Sequence, residues 1–309
     1  MDYELYHDES LEGGYWHGML LVPAEKKQEF LELLVRARKN TGYFDKIGIK
    51  DVQRKGKIYN CASAWVQIAI ACLRSRTVNK EYRAYVGKQE NGRAIDEPIE
   101  AYGLKFILLR ESNSHKELNG YRDYASKIET TFRMGLKGGA HFLGSEDDTI
   151  DIVKIHFDGH EHYQRHVDRD RIVNRMYDMR DYFHISQHPD LIDDARSNHN
   201  DPKSQPYEDC QFLQLTDLLV GCFRTALGYK TRDIHVELAL PLKRRLVDEY
   251  RKGRKRMESS RWFKSFVLSQ CYLKDDGHWK FEPLQRNPVE GFQPMLWDDK
   301  FWYESSIEG

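Results

Sequence analysis

The sequence lacks most of what would place it in a specialised class. Its five cysteines (Cys61, Cys72, Cys210, Cys222 and Cys271) are scattered and odd in number, and no Cys-x-x-Cys occurs. A zinc cage or a disulfide framework therefore has no support, and a reducing compartment fits. No apolar stretch approaches the roughly 18 uninterrupted residues of a membrane span, so no membrane partner is expected. The opening Met1-Asp2-Tyr3-Glu4 has neither a basic start nor an apolar segment, which points to the cytoplasm rather than to secretion. Net charge is −1, from 48 Lys+Arg against 49 Asp+Glu, so no global field draws the chain to nucleic acid. The patterns G-x-x-x-x-G-K-[ST], G-x-G-x-x-G and G-x-S-x-G are missing as well. ATPase, dinucleotide oxidoreductase and α/β-hydrolase chemistry lose their support with them.

What remains is a chain of 309 residues, 40% hydrophobic and 12% aromatic. That is too apolar for a solvated coil, and long enough for one elaborated domain or about two. Residues 3–7 (YELYH) alternate as a short strand, with a turn expected at Asp8-Glu9-Ser10. Residues 15–22 (YWHGMLLV) form a second strand, so an antiparallel hairpin is expected. Helical spacing marks 24–39, 58–73, 121–136, 169–182 and 210–227, with Gly138-Gly139 read as a stop to the third. Strands are expected at 82–86, 104–109 and 151–157, and a short one near Leu191-Ile192. A weak boundary near Gly228 divides a core, 1–228, from an extension, 229–309, that reads as helical and then irregular.

Three acids occupy informative places. Asp8 follows the first strand, Asp158 follows a later one, and Asp217 lies inside an apolar helix between Leu215 and Leu218-Leu219. A carboxylate in such a helix requires compensation by a cap, a cation or a metal. Taken singly, each acid also suits a structural hydrogen bond or a solvent-facing stripe. Clustered carboxylates repel one another unless divalent cations occupy them, and Mg²⁺ or Mn²⁺ prefer such hard oxygen ligands. Two such ions support phosphodiester hydrolysis.

The histidines, eight of the 13 between His141 and His199, leave three readings open: solvated or core-capping groups, a proton shuttle near the acids, or a transition-metal site. A zinc-protease H-E-x-x-H fails at His160-Glu161-His162-Tyr163-Gln164, where Gln164 stands in place of the second histidine. Residues 243–256 (KRRLVDEYRKGRKR) carry eight basic side chains against two acidic ones. Arg244, Arg245, Arg251, Lys252, Arg254, Lys255 and Arg256 read either as a phosphate-backbone footprint or as a solvated helix face. Lys50, with Arg54, Lys55 and Lys57, forms a second basic patch. The aromatic tail 291–309 suits docking on the core or on a partner.

The strand running into Asp8-Glu9-Ser10 and the late Leu213-Gln214-Leu215-Thr216-Asp217-Leu218-Leu219-Val220-Gly221 together resemble the ribonuclease-H-like family catalogued as domain of unknown function 3800. That family shows an early D-E-S at a strand end, an acid after a middle strand, and a late L-Q-x-A-D-L helix. The resemblance covers roughly 1–228, with Thr216 where the family often has Ala. It implies an α/β fold with a ribonuclease-H-like mixed sheet flanked by helices. It also implies a metal-dependent nuclease of bacterial or phage-related settings, such as defence against phage. By position, Asp8, Asp158 and Asp217 would ligate Mg²⁺ or Mn²⁺, with Glu9 or Glu161 assisting. Residues 58–73 contain no acid, so the fourth acid is left among Glu9, Glu161 and Asp51. Nucleic acid, DNA or RNA, is the expected partner. The alternative is a non-catalytic module that binds nucleic acid or a partner protein, such as an ATPase, in a defence or toxin system.

Overall fold

The computed structural model describes residues 1–12, 14–73, 103–111, 124–143, 150–158, 183–185, 190–192, 207–229, 232–255, 266–273 and 279–284. The expected strand at 82–86, the helix at 169–182, Glu161, His160, His162, His166, Arg256 and the tail 291–309 lie outside these residues.

Strand β1 (Asp2–Ser10) and strand β2 (Tyr15–Pro23) form the expected hairpin. The first strand is longer than its apolar alternation suggested. Asp8 does not follow β1 but lies inside it, opposite Gly18. Cross-strand pairing carries the extended conformation through Asp8-Glu9-Ser10, which local sequence had marked as a turn. Helices α1 (Lys27–Thr41) and α2 (Lys57–Cys72) follow. They lead to β3 (Lys105–Glu111), α3 (Tyr124–Leu143) and β4 (Ile150–Asp158). The short strands β5 (Phe183–Ile185) and β6 (Asp190–Ile192) precede α4 (Tyr207–Ala226) and α5 (Asp233–Lys255). Two strands, β7 (Phe266–Leu273) and β8 (Trp279–Pro283), complete the described chain.

The eight strands among the described residues join one mixed sheet in the order β5-β4-β1-β2-β3-β7-β8, with β6 also on β4. Strands β1 and β4 are parallel, β2 is antiparallel to both β1 and β3, and β7 is parallel to β3. The molecule is thus α/β, a mixed sheet flanked by helices. The boundary expected near Gly228 does not separate two units here. Leu238, Ala239, Leu242 and Leu246 of α5, with Phe266 and Leu268 of β7, share the core of α1, α2 and α4. Residues 266–273 (FVLSQCYL) extend along the outer edge of β3.

Strand alternation divides the core in two. Tyr6, Trp16, Leu20, Val22, Phe106 and Leu108 pack under α1, α2, α4 and α5. Tyr3, Leu5, Tyr15, Met19, Leu21 and Ile107 pack under α3 with Ile128, Phe132 and Leu136. Covered on both faces, β2 is buried along its whole length. Gly138-Gly139 does not end α3, which runs on to Leu143. A Cβ on Gly139 would overlap the Ile107 side chain of β3, so this glycine permits close helix-on-sheet packing.

Candidate metal centre

Strand register brings the first two acids together in the backbone. The pair His7–Phe157 is the last one recorded between β1 and β4. Asp8 and Asp158 occupy the next position on each parallel strand, and Asp158 is still paired, with Ile192 of β6. Asp8 is two residues from Tyr6 and shares its face, under α4.

Helix α4 lies against that face. A Cβ on Gly18, the cross-strand partner of Asp8, would overlap Val220 and stand 3.5 Å from Thr216 Cγ2. Asp217 is the residue next to Thr216. The helix is buried nearly all round, as expected where sheet, α2 and α5 enclose it, but Asp217 is only half-buried.

The conspicuous residues of α4 act together on one loop, 43–51. Gln214 Oε1 accepts the Ile47 N–H at 2.7 Å. One helical turn later, Asp217 Oδ2 accepts the Ile49 N–H at 2.7 Å. A Cβ on Gly221 would stand 2.8 Å from Ile49 Cβ, so the glycine seats that side chain. The Leu-Gln-x-x-Asp-x-x-x-Gly spacing is therefore a receptor for a loop, and Asp217 caps a backbone donor.

The same loop delivers a further acid. A Cβ on Gly48 would lie 2.8 Å from Asp51 Oδ2 and 3.1 Å from Asp217 Oδ2. Two carboxylate oxygens thus close around Gly48, whose missing side chain lets both approach. Asp51, one of the candidates for the fourth acid, is brought to Asp217 by loop docking.

Glu9 is not brought to this face. Neighbours in a strand point to opposite sides, and Glu9 Oε2 accepts the Tyr15 hydroxyl at 2.6 Å, on the α3 side of the sheet. Its expected role beside Asp8 is corrected accordingly. Ser10, back on the α4 face, accepts from Arg224 Nη1 at 2.7 Å, which ties the end of β1 to α4.

The basic residues divide by place. Lys50, Arg54, Lys55 and Lys57 are exposed on and just after the docked loop, and Arg244 is exposed on α5. Lys55 pairs with Glu237 at 2.8 Å, an exposed ion pair of little energetic weight. Arg245, Arg251, Lys252, Arg254 and Lys255 lie along the same helix, α5; their side chains are outside the described residues.

A second polar cluster escaped sequence reasoning. Potential ligand atoms of Glu4, His156 and Asp209 all lie within 4.8 Å of one another. The Lys27 ammonium stands among them, 2.7 Å from Glu4 Oε2 and 2.8 Å from Asp209 Oδ1. The Tyr6 hydroxyl donates at 2.8 Å toward the same two oxygens, and His156 Nε2 is 3.0 Å from Glu4 Oε2. Burial alone would raise the Glu4 carboxyl, but the bonds from His156, Lys27 and Tyr6 outweigh it and bring its pKa down to about 2. Burial likewise opposes the Lys27 charge, and Asp209 and Glu4 overcome it, so its pKa is raised. The positive charge of Lys27 already fills the place of a cation, so the cluster is an ion-pair network. It lies about 13 Å along β1 from Asp8, four residues at about 3.3 Å each. Only the shared face of Glu4, Tyr6 and Asp8 hinted at it; Lys27 and Asp209 come from distant segments.

On the opposite face, His7 and His17 are fully buried, with His7 Nε2 2.8 Å from His17 Nδ1 and His17 Nε2 2.6 Å from Thr131 Oγ1. Thr131 spends its one proton on the Lys127 carbonyl at 2.7 Å. It must therefore accept from His17 Nε2–H, which leaves His17 Nδ1 to accept from His7 Nε2–H. Both rings are neutral in this chain. Burial lowers the His7 pKa well below the ordinary range, with His17 adding to it; burial and then Lys127 push His17 down to about 3. Beside them Lys127 and Glu111, both wholly buried, pair at 3.1 Å.

A comparison of the chain with protein-family models, with curated proteins and with solved structures finds no match. Among the described residues, no helix is long and apolar enough to cross a membrane.

Proposed function

We propose that the protein is a divalent-metal-dependent nuclease on a ribonuclease-H-like sheet, with Asp8, Asp158 and Asp217 holding Mg²⁺ or Mn²⁺ and Asp51 as the fourth acid. What supports this reading is the placement of the acids around one end of the sheet. Asp8 and Asp158 take adjacent backbone places on parallel strands, α4 packs over the cross-strand partner of Asp8, and oxygens of Asp217 and Asp51 both border Gly48. The three ligand atoms within 4.8 Å of one another among the described residues are, however, those of Glu4, His156 and Asp209. The order β3-β2-β1-β4-β5, with β2 alone antiparallel, is compatible with such a sheet.

The donor set consists of carboxylate oxygens, the ligands that Mg²⁺ and Mn²⁺ favour. Cations held there would offset phosphodiester charge and lower the pKa of an attacking water. The protein's own part would be to gather these like charges: the Ile49 N–H fixes one oxygen of Asp217, and β4 sets the backbone of Asp158 beside that of Asp8. Lys50, next to Asp51, and the basic residues of α5 would engage the substrate backbone. A setting in defence against phage belongs to the same proposal, as does a cytoplasmic location.

A specific observation favours a second reading. Asp217 already caps a backbone donor, a duty that needs no metal. On that view the chain is a non-catalytic module that binds nucleic acid or a partner such as an ATPase. Asp217→Asn separates the two, because an amide oxygen still accepts the Ile49 N–H while the charge is lost. The decisive assay is a metal-dependent cleavage panel on labelled single- and double-stranded DNA and RNA. For the nuclease, Asp8→Asn and Asp217→Asn abolish cleavage with the melting temperature unchanged or raised, since carboxylate repulsion is relieved. Normal cleavage by both variants would refute the site. No cleavage and no Mn²⁺ binding by the unaltered chain would favour the module.

A further inference from the structure

We propose that Arg38 is the positioning residue of this acidic site: acting through Gln214, it fixes loop 43–51 so that Asp51 and Lys50 stand beside Asp217. This inference rests on the metal-site reading above and asks what sets that site's geometry.

Arg38 lies in the last turn of α1 and is 1% exposed, with its guanidinium stacked over Trp65 at 4.7 Å. Nε donates to Gln211 Oε1 at 2.8 Å and Nη2 to Gln214 Oε1 at 3.0 Å. Nη1 donates to the Asp45 carbonyl at 2.7 Å and, more weakly, to that of Tyr43 at 3.5 Å. All four acceptors are neutral carbonyl oxygens. Burying a guanidinium among them is expensive, and an apolar side chain of similar volume would pack α1 on α4 at lower cost. What the apolar residue lacks is a rigid fork that ties two helix side chains and two loop carbonyls at once.

The geometry shows how this fork reaches the acids. Gln214 Oε1 accepts from Arg38 on one side and from Ile47 N at 2.7 Å on the other. Arg38 therefore holds the Gln214 amide with its oxygen toward the loop. From one side Arg38 grips the carbonyls of residues 43 and 45. From the other, α4 grips the N–H groups of Ile47 and Ile49 through Gln214 and Asp217, spaced one turn apart. Gly48 lies between those two amides, where the Asp51 and Asp217 oxygens converge. Among the hydrogen bonds that Arg38 makes, none goes to Asp51, Asp217 or Ile49. Its influence on them passes through the loop.

The test uses the full chain, with Mn²⁺ alone as probe. Arg38→Lys keeps the charge but loses the fork. We expect the Ile49 amide, which Arg38 does not touch, to lose at least tenfold in hydrogen-exchange protection. The Leu218 and Leu219 amides of α4 should keep theirs, and Mn²⁺ affinity measured by calorimetry should fall at least tenfold. Gln214→Leu should reproduce both losses, and Gln214→Glu, which retains an oxygen for both donors, should restore both. Ile49 protection and Mn²⁺ affinity unchanged in Arg38→Lys would overturn the proposal. If Arg38→Lys unfolds α4 as well, the Gln214 pair decides, and equal values for its Leu and Glu variants overturn it. Failure of the unaltered chain to bind Mn²⁺ refutes the metal reading, and Ile49 exchange then decides the positioning role alone.

Discussion

The neutral chain His7–His17–Thr131 predicts a specific acid sensitivity. In the unfolded chain both imidazoles titrate near 6.5; in the fold the His17 pKa is about 3 and the His7 pKa is also well below 6.5. At pH 7 neither state binds these protons, so stability is unaffected. As pH falls below 6.5 the unfolded state takes up protons that the folded state refuses, and stability is lost. At about 1.4 kcal/mol per pH unit, the His17 gap alone comes to about 5 kcal/mol at full development. Roughly 5–15 kcal/mol is the whole stability of an ordinary domain. Between pH 6 and pH 5 the His17 ring alone costs about 1 kcal/mol, and His7 adds in the same direction. The buried His235, lowered by that burial, adds in the same direction. The Glu4 contribution is lost only as pH falls from 4.5 toward 2, and so lies outside this window.

Urea melts at pH 7, 6 and 5 should show the midpoint falling with a constant slope m. The double variant His7→Leu/His17→Leu removes both ends of the His–His bond. It should lie close to wild type at pH 7, since replacing both partners by apolar groups is nearly neutral. It should also lose most of the drop between pH 6 and 5. Equal drops in wild type and the double variant would refute the assignment of neutral, directional imidazoles, as would a midpoint that rises on acidification.

Two further substitutions probe the packing and charge described above. Lys27→Ala leaves the carboxylates of Glu4 and Asp209 facing each other without their ammonium, so the melting temperature should fall at pH 7. Added Zn²⁺ should recover it, with His156 completing three ligand atoms within 4.8 Å, and no response to Zn²⁺ would refute the view that Lys27 stands in for a cation. Gly221→Ala forces a methyl into Ile49, whose Cβ would be 2.8 Å away; a cost of about 1–3 kcal/mol in urea unfolding is expected. Unaltered stability in that variant would mean that Ile49 is not seated on α4.

Much of the architecture is written in local periodicity. The hairpin, α1, α2, β3, β4 and α4 lie within a few residues of where apolar spacing places them, because one face of each must be buried whatever the neighbours are. The departures are instructive. Asp8-Glu9-Ser10 looks like a turn until β2 pairs with it, and Gly138-Gly139 looks like a helix stop until close packing on Ile107 explains the bare Gly139. Residues 266–273 are unremarkable until the edge of β3 accepts them.

The acids show the same division. That Asp217 is unusual follows from the sequence alone, since a carboxylate in an apolar helix demands an explanation; Asp8 draws notice only as an acid at the expected end of a strand. That Glu9 points away from them follows from the two-residue period of a strand once β1 is known to continue through it. The sequence offers Asp51 only as one of three candidates for a fourth acid, and Glu4 only a shared strand face. It places neither Asp51 on Asp217 nor the Lys27 ammonium between Glu4 and Asp209, and it carries no sign of the imidazole chain under α3. Each joins residues from separate elements, and hydrogen bonds and ion pairs act over about 3 Å in space, whatever the separation along the chain. Composition and periodicity decided which surfaces must be buried; only the packing of α4 and loop 43–51 over β1 decided which polar groups meet.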